Sequence, residues 1–171
     1  MVNSRSKKNI LIKCKKIKLV IADVDGVLTD GGMFFSQKGE FLKKFNTRDG
    51  MGVELLSSKG IRTVFVSKEN SKIVQMRAKK LNVSGCYVGV KKKELLLQQI
   101  CKKLRVKKHE IAYIGDDVND LKIMKAVGLS FTPKDGMEPI KKIADYVCKL
   151  NGGEGVFREI SNLILSTRTS K

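Results

Sequence analysis

The chain has 171 residues, 42% of them hydrophobic, only two prolines and a formal net charge of +18. That length suits one domain with a real core, and that composition excludes a disordered or low-complexity polymer. No apolar run reaches the length of a membrane span, the N-terminus lacks the apolar centre of a signal peptide, and Cys14, Cys86, Cys101 and Cys148 form no C-x-x-C pair; we therefore expect a cytoplasmic protein with reduced thiols and neither a structural zinc nor a disulfide framework.

Residues 1–17 read as a basic N-terminal tail, since residues 1–18 carry seven basic side chains and no acidic one. Aromatic residues are sparse and not interleaved with the lysines, so a solvated surface is expected rather than a specific nucleic-acid partner. Leu19–Ala22 is a continuous apolar run that stops at Asp23, with Asp25 and Gly26 close behind. A short apolar run bounded by a turn signal suits a strand buried on both faces of a parallel sheet. Met33–Ser36 and Phe41–Phe45 flank a turn containing Gly39 and predict a β-hairpin able to fold over the strand end as a flap. Asn46–Asp49 starts a helix that Gly60 stops. Ile61–Val66 is a second buried strand ending at Ser67, and Asn70 or Ser71 caps a helix to Leu81. A short strand at Cys86–Gly89 precedes a helix from Lys92 to Leu104. Glu110–Ile114 is the next strand, breaking at Gly115 into Asp116 and Asp117. A helix over 118–126, a strand over 128–131, a helix near 137–143, a strand over 145–148 and a last helix from Val156 complete the alternation. Strands alternating with helices predict a doubly wound, Rossmann-like parallel α/β sheet.

In such sheets ligands bind outside the carboxyl ends of the strands. Strand one delivers Asp23 and Asp25 there, strand two Ser67, and a later strand the acidic loop Gly115–Asp120. Carboxylates gathered at one sheet edge suit a hard cation such as Mg²⁺ that also bridges to phosphate, and a carboxylate can itself be the nucleophile.

The stretch Asp23–Gly31, the strand ending in Ser67 and the loop Gly115-Asp116-Asp117-Val118-Asn119-Asp120 resemble the ordered motifs of the haloacid dehalogenase superfamily of phosphatases. The resemblance covers Lys18 to about Ile164. It implies a single phosphatase domain over 18–166, with 167–171 as a C-terminal tail, a hairpin flap and no cap domain. It further implies that Asp23 attacks phosphorus, that Asp25 is general acid and base, and that Ser67 and Lys93 bind the phosphoryl oxygens. Lys91 and Lys92 compete with Lys93 for that last role. Mg²⁺ would be held by Asp23, Asp116 and the backbone carbonyl of Asp25. Asp120 would orient Lys93 or a metal-bound water, and Asp117 is either a further ligand or a helix cap.

Within the superfamily, the hairpin, Asn46–Gly50 and Gly152–Glu159 resemble the small capless phosphatases of keto-sugar acids. Those act on N-acylneuraminate (or deaminated neuraminate) 9-phosphate or on 3-deoxy-manno-octulosonate 8-phosphate, small anionic sugar phosphates. Their relatives are homotetramers in which the hairpin and a neighbour's tail close the site. Ser67-Lys68-Glu69-Asn70 looks more like the neuraminate branch than the octulosonate one, so neuraminate 9-phosphate is the first expectation. On this resemblance Thr29, Gly31, Arg48, Lys68, Glu69 and Arg158 are candidate substrate contacts. A non-catalytic relative kept for oligomerisation is the rival reading, and the intact Asp23, Asp25 and Asp116 argue against it.

Overall fold

The computed structural model describes residues 4–168. Its centre is β1 (Leu19–Ala22), every side chain of which is buried. On one side β1 pairs in parallel with β4 (Arg62–Val66), and β4 with β5 (Gly85–Tyr87). On the other it pairs in parallel with β6 (Ile111–Ile114), followed outward by β7 (Leu129–Thr132) and β8 (Tyr146–Val147). The order β5-β4-β1-β6-β7-β8 reverses direction where the chain crosses from β5 to β6. That switch opens a crevice at the carboxyl ends of β1, β4 and β6, where such sheets hold their ligands.

Alternation along β1 builds two cores. Val20 and Ala22 face a layer formed by α1 (Ser4–Lys16), α2 (Thr47–Ser58), α3 (Lys72–Lys80) and α7 (Val156–Ser166). Leu19 and Ile21 face a layer formed by α4 (Lys93–Leu104), α5 (Leu121–Ala126) and α6 (Glu138–Lys141). Asn46 caps α2 by accepting the Arg48 N–H at 2.9 Å, and Ser71 caps α3 by accepting that of Val74. The contact between α2 and α7 requires glycine: a Cβ on Gly52 would stand 2.9 Å from Ser161 Oγ and 3.2 Å from Arg158 Cα.

The hairpin forms a separate two-stranded sheet, β2 (Phe34–Ser36) and β3 (Gly39–Leu42), shorter than its sequence pattern predicts. It is the only element between β1 and α2, and among the described residues no cap domain is present. The expected helix over 118–126 divides into a 3-10 turn, Val118–Asp120, and α5.

The N-terminal segment differs from expectation. Residues 4–16 are the helix α1, not a frayed tail, and Ile10, Cys14 and the following Ile17 are buried. α1 packs on α7 and β7. Those three apolar residues recur at i, i+4 and i+7, one helical stripe among the lysines. At the other end Arg168 hydrogen-bonds the Ile17 carbonyl, so the expected C-terminal tail begins docked; residues 169–171 of that tail, like residues 1–3, lie outside the described residues. Among the described residues no helix is long and apolar enough to cross a membrane.

Candidate active site

Asp23 follows β1 directly, its N–H bonded to the Ile114 carbonyl of β6, so the register of the sheet fixes where its side chain begins. Its Oδ1 accepts the Val24 N–H at 2.7 Å, and its Oδ2 lies 2.7 Å from Lys93 Nζ. Lys93 is fully buried at the first turn of α4, whereas Lys91 and Lys92 are exposed. The same ammonium contacts Asp120 Oδ1 at 2.7 Å. Asp120 is filled on every side: Tyr113 donates its hydroxyl to Oδ1 at 2.6 Å, and Oδ2 accepts the Asp116 N–H.

Asp116 leaves β6 beside the loop that follows β1. Gly26 admits it, because φ there is +81° and a Cβ would fall 2.1 Å from Asp116 Oδ2. One carboxylate oxygen from each of Asp23, Asp116 and Asp120 lies within 4.8 Å of the others. Three carboxylates facing one ammonium leave negative charge in a low-dielectric place. Burial, then the Asp120 charge, pushes the Asp116 carboxyl up to about 7. The same two causes hold Asp23 well above the ordinary carboxylate range, against the pull of Lys93. Burial pulls the Lys93 ammonium down, but Asp23 and Asp120 outweigh it and raise it. An all-oxygen donor set with unbalanced negative charge fits a hard divalent cation.

Asp25 sits across the opening. Ser67, buried at the end of β4, donates its hydroxyl to Asp25 Oδ2 at 3.0 Å, and Lys43 Nζ lies 2.6 Å from Oδ1. A cavity of about 290 Å³ opens over these groups. Asp23, Asp25, Gly31, Lys68, Glu69, Asp116, Asp117 and Asn119 line it.

Of the residues singled out in the sequence, Asp23, Asp25, Ser67, Lys93, Asp116 and Asp120 are thus gathered in one cluster. Lys68, Glu69 and Gly31 reach its cavity. Asp117 lines the cavity while its Oδ1 accepts the Val118 N–H, so it caps the 3-10 turn. Thr29 is turned inward: its hydroxyl accepts the Gly31 N–H at 3.2 Å and shapes the loop rather than the cavity wall. Arg48 is exposed near the start of α2, and Arg158 donates to Asn162 on the face of α7. Neither arginine lines the cavity of its own chain.

Sequence reasoning missed Tyr113 and Lys43. A tyrosine inside the apolar run Ile111–Ile114 is a usable signal, because a buried phenol needs a hydrogen-bond partner. Lys43 carries only the weak hint that in Lys43-Lys44 strand alternation turns one lysine inward.

The sequence pattern of the haloacid dehalogenase-like hydrolases matches residues 59–160. The chain is 38% identical to the 3-deoxy-D-manno-octulosonate 8-phosphate phosphatase of Haemophilus influenzae, over 91% of this chain and 87% of that one. It is 35% identical to the enzyme of the same name from Escherichia coli K12, over 92% and 84%. Among solved structures it resembles the 3-deoxy-D-manno-octulosonate 8-phosphate phosphatase of Moraxella catarrhalis, in complex with magnesium ion, phosphate ion and KDO. There the TM-score is 0.90 at 36% identity, covering 94% of this chain and 92% of that one. With a strand-end carboxylate cluster on a capless parallel sheet and relatives of this extent, the chain belongs to the haloacid dehalogenase-like hydrolases and is a phosphatase.

Proposed function

We propose that this phosphatase hydrolyses a keto-sugar acid phosphate, with 3-deoxy-D-manno-octulosonate 8-phosphate as its substrate. The observation that carries the reading is the cluster of Asp23, Asp116 and Lys93 beneath a cavity rimmed by Lys68 and Glu69, in a chain similar end to end to enzymes named for that substrate. The relatives thus favour the octulosonate branch over the neuraminate branch that Ser67–Asn70 suggests. Glu69 in the cavity wall is the one feature that keeps N-acylneuraminate 9-phosphate as the second reading.

The chemistry follows from the side chains. A carboxylate oxygen of Asp23 attacks phosphorus, the bond from phosphorus to the sugar oxygen breaks, and Asp25 gives its proton to that oxygen. Asp25 then takes a proton from water as the water oxygen attacks phosphorus. The bond to Asp23 breaks and inorganic phosphate leaves. Ser67 and Lys93 hold phosphoryl oxygens as charge spreads over them. Asp120 and Tyr113 keep the Lys93 ammonium in place. Asp23, Asp116 and the Asp25 carbonyl would hold Mg²⁺, which when bound neutralises phosphoryl charge. Asp117 is a cap beside that site and a further ligand only if the ion reaches it.

Thr29 and Gly31 shape the loop under the substrate, and Lys68 and Glu69 meet its carboxylate and hydroxyls. Arg48 and Arg158 reach a substrate only from a neighbouring copy, which agrees with a homotetramer. Phosphate release from both keto-sugar acid phosphates and from p-nitrophenyl phosphate, with Mg²⁺ and after chelation, tests the reading. The octulosonate phosphate should give the highest kcat/KM, and chelation should stop all turnover. Higher kcat/KM on the neuraminate phosphate reverses the substrate choice, and turnover that persists through chelation removes the metal from the mechanism.

A further inference from the structure

Lys43 is a lysine whose side chain has no exposed surface, at the base of a hairpin whose phenylalanines face solvent. Its Nζ lies 2.6 Å from Asp25 Oδ1 and 2.5 Å from Glu40 Oε1. The other Glu40 oxygen accepts the Ser71 hydroxyl at 2.5 Å. Burial draws the Lys43 ammonium down, but hydrogen bonds to Asp25 and Glu40 outweigh it and hold it charged. A continuous chain of contacts therefore runs from the cap of α3 (Ser71) through the hairpin (Glu40 and Lys43) to Asp25. Ser67 holds the other Asp25 oxygen.

We propose that Lys43 is a positioning residue for Asp25, and that Glu40 and Ser71 hold it there, so that the seating of the hairpin sets the orientation of the acid–base carboxyl. Lys43 does not reach the cavity, so it acts only through Asp25. A carboxyl that must aim one proton at a leaving oxygen loses rate steeply when its plane is free to turn. The hairpin is then more than a lid: a hairpin lifted from the body takes the Lys43 contact with it. This inference rests on the reading of Asp25 as the acid and base.

The test compares substrates by how much they need an acid. kcat/KM covers steps through departure of the leaving group, so it isolates the proton donation. An alkyl phosphomonoester needs a proton on its leaving oxygen, whereas nitrophenolate leaves without one. Lys43→Met should lower kcat/KM for the alkyl ester at least ~10-fold and for p-nitrophenyl phosphate by less than ~3-fold. Lys43→Arg should recover most of the loss. Glu40→Gln, which leaves Lys43 present but less firmly held, should show the same discrimination at smaller amplitude and serves if Lys43→Met does not fold. Asp25→Asn is the control. If it discriminates between the esters and neither the Lys43 nor the Glu40 variant does, the positioning role is overturned and the acid–base reading stands. If Asp25→Asn itself does not discriminate, both fall.

Discussion

At the residue scale the site is a problem of charge. Asp23, Asp116 and Asp120 share one ammonium, and each neighbour decides what a substitution does. Asp23→Asn keeps the shape and removes one negative charge from a crowded place, so the fold should be as stable as before. Turnover should nevertheless fall by roughly 10³-fold or more, since the amide is no nucleophile. Thermal melts and phosphate release measured on one preparation separate the two, and rapid turnover in a well-folded variant would take the nucleophile's role from Asp23. Gly26→Ala attacks the same place sterically. The new methyl would need to sit where Asp116 Oδ2 lies and would hold φ near +81°. Strain of that kind costs about 1–3 kcal/mol, and moving Asp116 should also weaken Mg²⁺ binding. A raised Mg²⁺ requirement with a lowered melting temperature is expected. Wild-type values of both would mean that the loop yields without disturbing Asp116. Asp23 and Asp116 were legible in the sequence because each closes an apolar run that reads as a buried strand. Lys43 was not, because nothing in a lysine doublet says which member turns inward.

At the element scale, the positions of α2 and α7 are tied by one buried acid. Asp49, in the first turn of α2, accepts the Arg158 N–H at 2.9 Å and also that of Phe157, capping a helix whose own cap residue, Gly155, offers no side chain. Burial pushes its carboxyl up to about 6, against those two bonds. In the unfolded chain an aspartate ionises near pH ~4. Between these values the folded protein holds the proton more tightly, so this group's contribution is most favourable below pH ~4. It is lost as pH rises to about 6, and the loss is on the order of 3 kcal/mol. Asp49→Asn cannot ionise. Denaturant melts should show the variant gaining on the wild type from pH 4 to 6 and then holding level; a constant difference across that window would contradict the assignment. Helices with strong local signals, such as the Asn46 start and Gly60 stop of α2, were legible from sequence. α1 was not, because its stripe of Ile10, Cys14 and Ile17 is diluted by lysines and gains its stability from α7, far away in the chain.

At the scale of the whole molecule, two forces oppose each other on the surface. A net charge of +18 makes copies repel. Yet the hairpin exposes Met33, Phe34, Phe35, Phe41 and Leu42 together, with Phe35 at 63% and Phe41 at 60%. Burying one such side chain is worth about 1.5–3 kcal/mol, and exposed charges farther apart than ~8 Å are largely screened at physiological salt. Several aromatic residues gathered on one small sheet should therefore outweigh the repulsion once salt is present. The parallel, doubly wound class of the sheet could be read from apolar runs alternating with helices, but neither its strand order nor this balance could. The balance depends on which hairpin side chains the body covers, and the body covers Lys43 while leaving the phenylalanines out. We expect the wild type to sediment as a tetramer at ~0.15 M salt. Phe35→Asp combined with Phe41→Asp should sediment as a monomer with an unchanged circular dichroism spectrum. With Asp23, Asp116 and Lys93 all supplied by one chain, the monomer should keep most of its activity on p-nitrophenyl phosphate. On a keto-sugar acid phosphate it should lose much more, as the proposed contacts of Arg48 and Arg158 across a neighbour require. A monomeric wild type would remove the assembly. A monomeric variant with equal losses on both substrates would keep the assembly and deny it any part in substrate recognition.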